Sequence, residues 1–154
     1  MKYVKIIFLT FIVLTFLSCE VDDICTESLG SPKLIIRFYD NAQPNITKEV
    51  SHLYVWAEDK DSLYRDVATD SIALPLNTHS DTTTYLLSSN AVIDTLYLFY
   101  DRKEVYVSRS CGLKFNFELT DATHLSSYWS DDFSTVSTPQ SIEDESAAHI
   151  KIYH

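Results

Sequence analysis

Two glycines among 154 residues, Gly30 and Gly112, leave this chain nearly without the residue that turns a backbone most cheaply. Glycine-rich phosphate loops and dinucleotide fingerprints are absent, and so is any Gly-x-Ser-x-Gly nucleophile elbow. Turns must rely on Asp, Asn, Ser and Thr instead. Basic residues are also scarce: 12 Lys and Arg stand against 22 Asp and Glu, a formal charge of −10. An acidic balance of this kind argues against nucleic acid and anionic lipid headgroups as partners, and it favours solubility. The five histidines, His52, His79, His124, His149 and His154, are scattered without zinc-ligand spacing. No window sustains a capped 3.6-residue period, and no internal repeat occurs. No cofactor is expected, and the missing motifs point away from enzymology.

The N-terminus is where the chain says most. Lys2 and Lys5 form a basic start, and Ile6 to Leu17 is an apolar stretch of signal-peptide length, short for a bilayer span. Ser18 is the small residue before Cys19, and Glu20-Val21-Asp22-Asp23 follows it. This arrangement reads as a bacterial lipoprotein: residues 1–18 are removed and Cys19 becomes the lipidated N-terminus. Phe16 stands where a lipobox usually has Leu, and the competing reading is an ordinary secretory leader or a short anchor. Removal of 1–18 leaves 136 residues with Lys2 and Lys5 lost, so the charge becomes −12. That length suits one domain with a real core. The expected division is leader 1–18, acidic tether 19–32 and a single domain over 33–154.

With Cys19 consumed, Cys25 and Cys111 remain. Outside the cytoplasm these two have one possible connectivity, and oxidation is favoured. Two buried free thiols or a catalytic cysteine compete with that pairing, although no suitable His motif accompanies either residue.

The periodicity is that of strands. Leu34, Ile36 and Phe38 share one face of Lys33–Tyr39, and Leu53, Val55 and Ala57 oppose Tyr54 and Trp56 in His52–Ala57. Ser71–Leu74 ends at Pro75, as an edge strand or a sheet switch would. Thr82–Leu87, Ile93–Tyr100, Glu104–Arg109 and Leu113–Leu119 follow, with Asp101-Arg102-Lys103 read as a hairpin connection. Leu113, Phe115, Phe117 and Leu119 fall on one side of the last of these. Ile150 and Ile152 point inward from a final strand, His149–Tyr153. Thr120 to Ala148 reads as a long irregular connection holding Tyr128, Trp129 and Phe133. The fold expected is all-β: a two-sheet antiparallel β-sandwich, immunoglobulin-like or related, of about seven to nine strands.

Several of these segments also resemble a family of small Bacteroidota lipoproteins of unknown function. They are Asp22-Asp23-Ile24-Cys25, the strand Pro32 to Asp40, Leu74-Pro75-Leu76-Asn77, and Tyr106 to Gly112 followed by Phe115 and Phe117. The resemblance is clearest over Cys19–Leu119. It implies an envelope location, supports the Cys25–Cys111 pairing and implies no activity. In that phylum an acidic stretch after the lipidated cysteine resembles a surface-export signal, so the outer membrane is the expected location, at its periplasmic face or the cell surface.

Four tripeptides match a Bacteroidota O-glycosylation pattern, with Ser62, Ser71, Thr82 and Thr95 as acceptors after Asp61, Asp70, Asp81 and Asp94. With 14 Asp in the chain, chance would give roughly one match. Asp-Ser and Asp-Thr are also good turn formers. Asn45-Ile46-Thr47 matches an N-glycosylation pattern that has no force in a bacterium. Asp59 and Asp61 form an Asp-x-Asp that lacks the rest of a calcium loop, and Asp131-Asp132 is no better. Tyr54, Trp56, Tyr97 and Tyr106, if outward, are able to stack on sugars or simply pair across strands. The leading expectation is a lipid-anchored, non-enzymatic envelope module that binds or scaffolds within an outer-membrane assembly. A carbohydrate-binding accessory lipoprotein of a glycan-uptake system is the alternative, and a carboxylate-based hydrolase the third.

Overall fold

The computed structural model describes Cys25 and residues 30–124, 132–135 and 140–154. The lipidation site Cys19, the acidic stretch after it, Tyr128 and Trp129 lie outside the described residues, as does the side chain of Phe133.

Ten strands in two sheets make the expected all-β sandwich, and no helix occurs among the described residues. They are β1 (Leu34–Tyr39), β2 (Val50–Ala57), β3 (Ser62–Thr69), β4 (Ser71–Leu74), β5 (Thr82–Ser89), β6 (Val92–Ser108), β7 (Gly112–His124), β8 (Asp132–Thr135), β9 (Gln140–Ile142) and β10 (Ile150–Tyr153). One sheet has the order β4-β1-β10-β8 and the other β3-β2-β5-β6-β7-β9. Pairing is antiparallel except between β1 and β10, which run parallel. The chain changes sheets at Asp70. There the Thr69 hydroxyl accepts from the Ser71 N–H at 3.2 Å, and the Asp70 carbonyl accepts from Phe38 at 2.8 Å. Ser71–Leu74 is thus both an edge strand and a sheet switch. The Tyr64 hydroxyl accepts the Ala73 N–H at 2.9 Å, which covers part of that open edge.

Alternation builds the core. Leu34, Ile36 and Phe38 are buried against Leu53, Val55, Leu87, Leu96, Leu98, Phe117, Leu119, Ile150 and Ile152 in one cluster shared by both sheets. Each side chain of this size contributes roughly 1.5–3 kcal/mol by leaving water. Tyr100 and Phe117 meet edge-on with centroids 5.3 Å apart.

The structure departs from the sequence reading in three places. Asp101-Arg102-Lys103 is not a hairpin, because β6 runs straight through it beside β7, with Asp101 facing Glu118 and Lys103 facing Asn116. Lacking a turn residue with positive φ, the three charged residues stay extended, and two of them form ion pairs. Arg102 reaches Asp81 at 2.6 Å and Lys103 reaches Glu118 at 2.5 Å. The true turn is Arg109-Ser110-Cys111, closed by Gly112 at φ 75°. Residues 62–69, to which no strand is assigned from the sequence, form β3; its register with β2 shifts repeatedly, and that irregularity hides the alternation. Within 120–148, read as irregular, β7 continues to His124, and β8 and β9 each add to a sheet.

Candidate functional site

The outward face of the six-stranded sheet carries the densest set of uncovered apolar side chains. Since inward residues alternate with outward ones, burying Val55, Leu87, Leu96 and Leu98 forces Tyr54, Trp56, Leu86, Tyr97 and Phe99 outward. Register aligns them: Trp56 lies opposite Leu86, Tyr54 opposite Ser88, which faces Ile93, and Tyr97 opposite Thr84. Two aromatic pairs, Tyr54/Trp56 on β2 and Tyr97/Phe99 on β6, therefore lie on either side of β5 and are staggered along it, with Tyr54 level with Ile93 and Trp56 level with Thr95. Tyr54 and Phe99 are each 39% exposed and Ile93 46%. A groove of about 300 Å³ beside the first pair is lined by Tyr54, Trp56, Lys60, Ser62 and Ser88. Tyr106, grouped with these residues on sequence, is not on this face. It lies six residues beyond Tyr100 on the core side of β6, where it is left 62% exposed.

A second recess, about 630 Å³, opens at one end of the sandwich between the β2–β3 turn and the segment before β5. The Tyr100 hydroxyl braces two of its lining residues, accepting the Asn77 N–H at 2.9 Å and lying 2.6 Å from the Thr83 hydroxyl. The Tyr85 hydroxyl donates to the Pro75 carbonyl. Burial pushes both phenols above their ordinary range, with the neighbouring Tyr100 adding to the effect at Tyr85. Both therefore act as neutral hydrogen-bonding groups that fix the loop. Glu58 and Asp61 sit on the rim and are exposed.

The four acceptor tripeptides differ in accessibility. Thr82 is exposed at the start of β5, whereas Ser62, Ser71 and Thr95 are half-buried within strands. Asp94, the recognition residue before Thr95, is 1% exposed and points inward with Leu96. Asp59 and Asp61 belong to the β2–β3 turn, with Asp59 at φ 57°, and no cluster of three or more metal-ligating side chains occurs among the described residues.

Two histidines acquire partners that spacing did not reveal. His52 and Asp66, both at positive φ in the irregular β2–β3 pairing, meet at 2.7 Å in solvent. His149 is buried, and its Nδ1 accepts the Ile35 N–H at 2.8 Å while its own N–H donates to the Ile35 carbonyl. The ring thus extends the parallel β1–β10 ladder by one side chain. Burial holds its pKa below the ordinary 6.5, against the pull of Asp144 and Glu145.

Cys25 and Cys111 form a disulfide that spans 86 residues of sequence, with Cα atoms 5.1 Å apart. It fastens the N-terminal segment to the tip of the β6–β7 hairpin. Further along, the Ser31 hydroxyl accepts the Phe115 N–H at 3.0 Å.

The chain matches no curated protein and no solved structure. A family model does match, over residues 52–154, from β2 to the C-terminus. This range includes the outer-face residues, Cys111 and His149; the N-terminal pattern ending at Cys25 precedes it. On that match the chain belongs to a family of unknown function, DUF6452.

Proposed function

We propose that this protein is a lipid-anchored, non-enzymatic binding module of the bacterial outer membrane that docks an envelope partner on the outward face of its six-stranded sheet. The observation that carries the reading is the outward stripe of Tyr54, Trp56, Leu86, Ile93, Tyr97 and Phe99, in which Tyr54, Ile93 and Phe99 are exposed and the other three half-buried. Aromatic side chains so placed supply most of the energy of protein contacts, where a few central residues dominate. Cys19 holds the module at the outer membrane of a Bacteroidota envelope, at its periplasmic face or, where the acidic residues after it act as an export signal, at the cell surface. Thr82, exposed at a strand start, is the best placed of the glycan acceptors. Burial of Asp94 disfavours Thr95.

The test is co-purification from intact outer membranes with Trp56→Ser/Phe99→Ser against the unaltered chain. Loss of about 2 kcal/mol or more at such a contact lowers partner recovery at least tens-fold. Unchanged recovery with the fold intact contradicts the reading.

One observation favours a second reading, a carbohydrate-binding accessory role. The Tyr54–Trp56 groove combines stacking rings with the hydroxyls of Ser62 and Ser88 and the ammonium of Lys60. Titration of envelope and dietary glycans against tryptophan fluorescence separates the two: a saturable change lost in Trp56→Ser supports the glycan reading.

A further inference from the structure

The geometry points to the clasped β6–β7 hairpin end as a foot that rests on the phospholipid headgroups of the membrane holding the anchor. The inference rests on the anchoring reading of Cys19.

Charge is separated along this molecule in a way its overall balance conceals. Arg102–Lys114 holds Arg102, Lys103, Arg109 and Lys114 against the single carboxylate of Glu104, a net +3. The chain from Cys19 onward totals −12, so everything outside this hairpin segment carries −15. Nearer the body, Arg102 and Lys103 are neutralised by Asp81 and Glu118. Among the described residues Arg109 and Lys114 enter no ion pair. The excess cation therefore sits at the tip.

The same tip presents apolar surface. Tyr106 and Leu113 are cross-strand partners on one face, 62% and 58% exposed. Tyrosine with nearby Lys or Arg is the composition that settles at the headgroup level of a bilayer, and each basic residue near an anionic surface adds about 1 kcal/mol.

Chain length then selects the occupant. The disulfide puts Cys25 at the hairpin tip, and Cys25 follows Cys19 by six positions. Such a segment reaches at most about 20 Å. If acyl chains hold Cys19 in the bilayer, the tip cannot leave the membrane surface by more than that span. The body, strongly acidic, is repelled by the anionic surface that attracts the tip, so the domain stands with its outer-face stripe directed sideways, free for a partner.

The test uses the lipidated full-length product reconstituted in vesicles, with hydrogen exchange read over residues 102–116. One set contains phosphatidylethanolamine with phosphatidylglycerol, the other phosphatidylcholine alone. Exchange of the hairpin tip is expected to slow several-fold in the anionic vesicles relative to phosphatidylcholine. The protection should disappear in Arg109→Glu/Lys114→Glu and weaken in Tyr106→Ser/Leu113→Ser. These four side chains lie at the hairpin tip, outside the core cluster, and exchange over Leu96–Tyr100 reports whether each variant is folded. Equal exchange of the tip in both vesicle types, or protection that survives the charge reversal, overturns the foot. Intact mass of the product reports the anchor separately: a Cys19 without acyl chains refutes the anchoring reading whatever the hairpin does.

Discussion

The two outward faces of this sandwich are made from the same pleated backbone and finished in opposite ways. On the four-stranded sheet, Ile35, Arg37 and Tyr39 of β1 lie beside Lys151 and Tyr153 of β10. Tyr39 packs against β10, with the Tyr153 ring centroid at 5.6 Å and the Lys151 ammonium at 5.3 Å. Part of its aromatic surface is thus engaged within the chain. On the six-stranded sheet, Tyr54, Trp56 and Tyr97 have Ser, Thr and Leu as cross-strand neighbours, and Phe99 lies between Thr82 and Asp121. Equal folding demands would have treated both faces alike. The proposed docking on the six-stranded face rests on this difference.

The sheets also differ in what secures their ends, and that contrast gives the largest predicted effect. The long β6–β7 hairpin leaves the six-stranded sheet as a two-stranded arm, a structure only marginally stable by itself in water. The Cys25–Cys111 bond is what holds it. For a loop of 86 residues the chain-entropy model assigns about 4–5 kcal/mol to the bond. Cys25→Ser/Cys111→Ser should lower unfolding free energy by up to that amount, measured by denaturant titration. It should also accelerate exchange in residues 104–114 beyond that in Leu96–Tyr100. A uniform change across both segments would show that the bond acts on the unfolded chain alone.

How far the sequence reveals these features depends on what each feature rests on. Leu34, Ile36, Phe38, Ile150 and Ile152 alternate cleanly because they belong to short strands with one buried face, and their inward placement was legible. The Cys25–Cys111 pair was legible from compartment and count. The hairpin at Asp101 was not, because the charged residues that resemble a turn are held extended by partners distant in sequence, Asp81 and Glu118. β3 was hidden by bulges, and the role of His149 by a hydrogen bond to Ile35, 114 residues away. The outer-face stripe was half legible: alternation sets Tyr54 and Trp56 opposite the apolar face of their strand, while Tyr97, Leu86, Ile93 and Phe99 join them, and Tyr106 does not, only once cross-strand register is known.

Acid should act on the four-stranded sheet first. His149 is neutral when its Nδ1 accepts from Ile35, and its folded pKa lies below 6.5. The unfolded chain therefore takes up the proton first as pH falls, so stability is full above about 6.5 and declines below it until the folded pKa is passed. The decline should be about 1 kcal/mol, the worth of the hydrogen bond that protonation breaks. His149→Gln should flatten the stability profile in this window; an unchanged slope would remove His149 as its source.

A smaller effect of opposite sign belongs to the six-stranded sheet. Ser89 pairs with Val92 across a two-residue turn in which Asn90 and Ala91 both have positive φ, 50° and 66°. Asn-Gly is the favoured pair for that geometry. In a chain so poor in glycine an alanine takes the second place, at a cost of about 1 kcal/mol. Ala91→Gly should raise unfolding free energy by up to about 1 kcal/mol in thermal or denaturant melts, the gain being reduced by the greater freedom of glycine in the unfolded chain.

The contrast between the two faces is tested most directly by site-specific photo-crosslinking in intact cells, with the reactive group placed at Trp56, at Phe99 or at Arg37. Docking on the six-stranded face predicts the same partner captured from Trp56 and from Phe99, and none from Arg37 on the opposite sheet. Capture from Arg37 alone, or equal capture from all three positions, would contradict it.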